Sequence, residues 1–149
     1  MEVFGIARFE RFFRQAAGID IDKSDVRRFD DFVNDRIYAL LLRAVAIAKA
    51  NGRDVVQPQD IPITKGIQEA MHAFRALDQD VELDPILEQL TRRPPLDLVY
   101  SDETKDELPH LAGGLGMALA RTFPILDEDL ETLQPRHWDR AGRVFDVLL

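Results

Sequence analysis

The sequence predicts an all-α fold made of two copies of one unit, a short helix, a long helix and a short helix, sharing a single core. Three observations carry this. Apolar residues recur at helical spacing along most of the chain, with two segments long enough to cross a small domain. Both long segments give way to an extended stretch ending in Gln-Pro, "VQP" at Val56 and "LQP" at Leu133. The chain of 149 residues, 46% hydrophobic and 31% charged, can bury a sizeable interior as one domain.

The elements follow in order. "VFGIARFERFFRQAAG" reads as a first short helix, with Ile6, Phe9 and Phe13 on one face, Phe12 beside them, and Gly18 as its stop. Arg8, Arg11 and Arg14 recur every third residue on another face. "IDID" is a brief extended piece. Ser24 is expected to cap a long helix running to about Ala50, through Val26, Phe29, Val33, Ile37, Leu41, Ala44 and Ala48. Its middle is apolar almost all round, so it should be contacted on several sides. Asn51 or Gly52 ends it, because glycine tolerates the left-handed conformation of a helix C-terminus. "DVV" is strand-like, and Pro58 suits the start of a new helix, having no N–H to leave unsatisfied. Pro62 interrupts that start, so the main third helix should run from Thr64 to about Leu77.

A second cycle begins after the acidic connector "DQDVELD", with a short helix from Pro85 and a break at "RRPP". "LDLVY" is strand-like, Ser101 can cap a second long helix, and "RAGRVFDVLL" closes as an amphipathic helix. His137 and Trp138 should open that last helix, with Trp138 as a packed anchor.

The two cycles superimpose. Ser24 precedes Val56, and Ser101 precedes Leu133, by the same interval; Phe9 and Phe13 stand before Ser24 as Ile86 and Leu90 stand before Ser101. Within the long helices the match improves with a one-residue slip. Equal spacing of this kind marks a duplicated unit. The expected boundaries are residues 1–77 for the first unit, 78–84 for an acidic linker and 85–149 for the second. Neither unit can bury its central helix alone, so the long helices should cross, with "DVV" lying beside "LDLVY".

With this architecture, "AKANGRDVVQPQDI" resembles the second loop of the archaeal-type histone fold, which runs Gly-Arg-x-Thr-Val-x-x-x-Asp-Ile. Gly52, Arg53, Val56, Asp60 and Ile61 stand in that register, and "RFFRQAAG" is similar to the family's first helix. The resemblance covers residues 5–74 directly and the rest through the repeat; the whole chain resembles bacterial histone-fold doublets, in which one chain forms a pseudo-dimer by an intramolecular handshake. It implies a structural ion pair between Arg53 and Asp60. Opposite them in the second unit stand Leu130 and His137, which implies that the clamp is missing there.

The resemblance also implies DNA contacts from the first helix and both loops. Arg11 and Arg14, with Arg8 a turn before, match the first-helix cations and are the candidate nucleic-acid-binding residues. The family's first-loop arginine falls near Asp20, and its second-loop Lys-Thr pair falls on Asp54 and Val55, so those contacts are lost. Charge weighs the same way. The net charge is −8; residues 1–74 carry 11 Lys/Arg and 11 Asp/Glu, residues 75–149 carry 8 and 16. Phosphate affinity rests on displacing counterions with cations, which this chain supplies sparingly.

Other chemistry is weakly represented. Arg27 and Arg28 beside Asp25, Asp30 and Asp31 read as local helix-surface ion pairs. "DQDVELD" alternates carboxylates like a calcium loop, but Leu83 and Gln89 occupy the places that need glycine and glutamate. His72, His110 and His137 lack metal-ligand spacing, and there is no cysteine for a thiolate site or disulfide. "AGGLG" at Ala112 lacks the Lys-Ser/Thr of a phosphate loop and sits in a helical pattern, where its glycines would admit a neighbouring helix at a central crossing. No catalytic signature, resident cofactor, metal or membrane span is expected. A cytoplasmic location follows, in the nucleoid if DNA is bound. Two functions compete: the first is a histone-like, nucleoid-associated role with weak DNA contact through Arg8, Arg11 and Arg14, and the alternative is a protein-interaction or self-association module that has given up DNA. A small-ligand carrier would need a polar pocket between the halves.

Overall fold

The structure, a computed structural model, describes residues 6–77 and 82–149. It is an all-α doublet of histone-fold units. Helices α1 (Ile6–Ala17), α2 (Lys23–Ala50) and α3 (Lys65–Ala76) form the first, and α4 (Leu83–Thr91), α5 (Asp102–Leu126) and α6 (Pro135–Leu148) the second. A 3₁₀ turn at Pro58–Asp60 precedes α3, as the two prolines around it require. Asp78 and Asp80 of the acidic connector lie outside the described residues.

The units clasp each other through their loops. Strand β1 (Val55–Val56) pairs in parallel with β2 (Val99–Tyr100), and Asp20 forms a parallel bridge with Thr132. Each unit's first loop thus meets the other unit's second loop, closing both ends of the handshake. Buried hydrogen bonds reinforce one end: the Ser101 N–H and the Thr104 hydroxyl both donate to the Val56 carbonyl, at 3.0 and 2.7 Å.

Gly18 and Gly52 end α1 and α2 with φ of 66° and 71°, the left-handed geometry that glycine accepts without strain. The start of α2 differs from expectation. Asp22, not Ser24, is the N-cap: its carboxylate accepts from the backbone N–H groups of Ser24 and Asp25, and the Asp25 side chain accepts from Asp22 N–H. A carboxylate two residues earlier completes a reciprocal capping box that serine would only half fill. Helices α2 and α5 begin 79 residues apart, while the prolines that open the next turn and helix, Pro58 and Pro135, stand 77 apart. The connector before α5 is the longer of the two.

One apolar core runs through both units. Phe9, Phe12 and Phe13 of α1 are fully buried and stack with Phe29 of α2, Phe74 of α3 and Phe123 of α5. The α5 glycines do admit a helix, but chiefly α3 rather than the crossing partner. A Cβ on Gly113 would stand 2.3 Å from the Phe74 ring, and one on Gly114 2.2 Å from Met71 Cγ; only Gly116 faces α2, at Phe29. Trp138 of α6 anchors the second unit to the first. Its indole lies edge-on to Phe123 with centroids 5.0 Å apart, and its N–H donates to Asp25 at 3.0 Å. Asp25 is accordingly turned inward, away from the surface ion pairing expected with Arg27 and Arg28, and burial raises its pKa.

Candidate nucleic-acid interface

The three regions through which the histone resemblance implies DNA contact are the α1 face and the two loop pairs. On α1, Arg11 and Arg14 are exposed and Arg8 is half-buried. Arg14 lies 4.0 Å from Asp20, so its cation is partly offset by the adjoining loop. The helix presents a short basic strip.

At one end of the handshake the first loop of unit one meets the second loop of unit two. Residues 19–22 and 127–134 contain no lysine or arginine, while Asp20, Asp22, Glu128, Asp129 and Glu131 line the two loops. This edge is acidic and repels phosphate.

At the other end, around β1 and β2, several cations are present and most are engaged, Lys105 beside Tyr100 being the exception among the described residues. Lys49 contacts Asp97 at 2.7 Å, and Arg93 is paired with Asp35 while lying over the Tyr38 ring. Lys49 holds the Asp97 carboxyl below the usual range. Arg53 donates to both oxygens of Asp60, at 2.5 and 2.6 Å. Asp60 is buried, accepts also from Gln57 N–H, and has its pKa lowered mainly by the guanidinium. Arg53 is thereby tied to the turn before α3, and Asp54 stands exposed beside it.

The second unit was expected to lack this clamp. Instead it carries a hydrogen-bonded counterpart, in which a histidine stands where the aspartate is in unit one and a loop carboxylate where the arginine is. His137 occupies the place of Asp60 at the third position of its helix, and its Nδ1 accepts from Gln134 N–H at 2.9 Å, as Asp60 accepts from Gln57. The accepting Nδ1 fixes the tautomer, so Nε2–H donates to Asp127 at 3.0 Å. Asp127 is pulled below the usual carboxylate range mainly by that bond. The partner comes from three residues before Leu130, which is why equal spacing missed it; the Asp-x9-His interval was the available signal.

The structure therefore brings Arg53 and Asp60 together and leaves Arg11 and Arg14 without loop cations to extend their strip. Of the other histidines, His72 is exposed and His110 lies 3.7 Å from Glu107. Among the described residues no cluster of His, Asp and Glu is arranged to hold a metal, and no helix is long and apolar enough to cross a membrane. Large apolar side chains are also exposed. Ile125, Val147 and Leu148 are 79, 84 and 69% exposed at the ends of α5 and α6, and Leu126, Val144, Val147 and Leu148 line a groove there with Arg140 and Arg143.

Comparison with known proteins agrees with the fold. The family model described as a domain of unknown function, DUF1931, matches residues 9–146. A crystal structure of a protein from Thermus thermophilus is 46% identical, covers 99% of both chains and superimposes with a TM-score of 0.94. An uncharacterized protein of Aquifex aeolicus (strain VF5) is 28% identical over 111 residues, 74% of this chain; the aligned part spans 65% of that relative's length. The crystal structure of the histone from Methanopyrus kandleri, 16% identical over 91% of this chain and 90% of its own, gives a TM-score of 0.58.

Proposed function

The chain belongs to the DUF1931 family, and from its histone fold we propose that it acts as a protein-interaction module without catalysis, associating through the apolar face at the ends of α5 and α6. The observation that carries this reading is the exposure of Ile125, Val147 and Leu148 beside a groove lined by Leu126 and Val144. Scattered apolar residues are ordinary on a surface, but a contiguous apolar set on two adjacent helix ends marks a contact site. The acidic loop edge and the ion-paired cations support the same reading by removing the phosphate contacts that histone-type binding needs.

Sedimentation equilibrium tests it. The protein should associate with itself or a partner, and Val147→Asp/Leu148→Asp should abolish the association while retaining the helical circular dichroism. Association unchanged by the double substitution would remove this face from the account.

A second reading rests on Arg11 and Arg14, which are exposed on α1. Together with Arg8 they support weak, sequence-independent contact with duplex DNA, and with it a nucleoid location in the cytoplasm. The salt dependence of such binding would correspond to two or three phosphates at most.

A further inference from the structure

The two units differ most in the connector that joins their first and second helices. In unit one it is the short run 18–22; in unit two it is 92–101, with Pro94 and Pro95 at its bend. A groove lies between α4, this connector and the start of α5. The groove has a volume of about 510 Å³, within the range of about 300–1,000 Å³ typical of small-molecule sites. Its floor is formed by Leu87, Leu90, Leu96 and Leu98, side chains packed on the core but left half-exposed. In unit one the positions equivalent to α4 bring in Phe12 and Phe13, both fully buried; here Gln89 and Leu90 stand in their place and fill less.

The charged side chains in the lining of this groove are of one sign. On a chain of net charge −8, the charged side chains that line it are Arg93 and Lys105, both cationic. Arg93 is committed to Asp35, whereas Lys105 makes no side-chain ion pair among the described residues. Tyr100 lines the wall, and burial raises the pKa of its phenol, as expected beside an apolar recess. An apolar trough with an unpaired cation in its lining is complementary to a molecule with a hydrocarbon tail and one anionic head.

We propose that the groove beneath the Pro94–Pro95 connector binds a free single-chain alkyl carboxylate, with the tail along Leu87, Leu90, Leu96 and Leu98 and the head on Lys105. The site lies wholly within the second unit, apart from the α5–α6 face, so its occupancy is independent of the association proposed above. It is also not the polar pocket between halves that a small-ligand function was expected to require.

Decanoate below its micellar concentration is the probe, followed by amide chemical shifts of ¹⁵N-labelled full-length protein. Saturable shifts confined to residues 87–105 are expected, with affinity at least tenfold weaker for decanol, which lacks the charge, and for Lys105→Glu. Val99→Trp is a second variant: Val99 is 66% exposed on the groove wall, so a large ring there should block the site without disturbing the core. Shifts scattered over the surface or centred on 140–149, equal binding of decanol, or binding indifferent to both substitutions would overturn the proposal. So would binding of an acidic amphipathic peptide at the groove with no response to decanoate, which would make it a protein-docking surface.

Discussion

Thr104 carries a hydrogen bond on which the joint between the units depends. Its buried hydroxyl donates to the Val56 carbonyl across 48 positions of sequence. Thr104→Val keeps the shape and leaves that carbonyl with the Ser101 N–H alone. Denaturant unfolding should show a loss of about 1–3 kcal/mol with an unchanged m value. Asp60 makes a pH-dependent contribution. Its folded pKa is lowered, chiefly by Arg53, so its stabilisation is complete above the ordinary aspartate value of about 3.9 and is lost as pH falls through the folded value. Melting curves of the wild type and Asp60→Asn should therefore converge as pH drops below about 4. Asp25 acts with the opposite sign, because burial raises its pKa: its protonated form favours the folded state, and that advantage fades as pH rises through the folded value. Arg53 and Asp60 were legible from sequence because both lie in one loop-to-helix motif. Asp25 was not, since its partner Trp138 is 113 positions away.

At the scale of elements, the seam between α3 and α5 sets the tightest steric limits. Gly113→Ala places a methyl 2.3 Å from the ring of the buried Phe74. The overpacking of about 1–3 kcal/mol should exceed the gain of about 1 kcal/mol from helix propensity, so the variant should melt lower. Gly66→Ala is the internal control: nothing lies within 4 Å of its added Cβ, so it should be neutral or stabilising. Helical periodicity and the glycine run predicted that α5 would be approached closely. They placed that approach at the central crossing, whereas α3 supplies most of it, because a period defines a face and not the neighbour that fills it. The same limit hid the Asp22 cap, where serine and aspartate stood close together and only the backbone geometry chose between them.

Across the whole molecule, the core is a single cluster drawing on all six helices, so the two units should unfold together. Calorimetry should give one transition with matching calorimetric and van't Hoff enthalpies. The doublet itself was readable from sequence, since the spacing of "VQP" and "LQP" follows directly from duplication. The neutralised surface was readable only in part. Counting charges exposed the acidic excess, and the loop substitutions at Asp20 and Asp54 were local. The pairing of Lys49 with Asp97 and Arg93 with Asp35, however, depends on the handshake that brings distant segments together. The exposed apolar face at Ile125, Val147 and Leu148 was likewise hidden, because helical spacing alone cannot separate a buried stripe from one awaiting a partner.

The chain has a histone fold, and the edges through which the histone resemblance implies DNA contact are largely acidic or occupied by ion pairs. Fluorescence anisotropy of a labelled duplex at two salt concentrations, with Arg11→Ala/Arg14→Ala in parallel, tests that most directly. At most weak binding is expected, with a salt slope of no more than about −0.9 for each of two or three phosphates, all of it lost in the double variant. Tight binding with a much steeper slope, retained when Arg11 and Arg14 are removed, would contradict it by showing that the loop edges hold DNA after all.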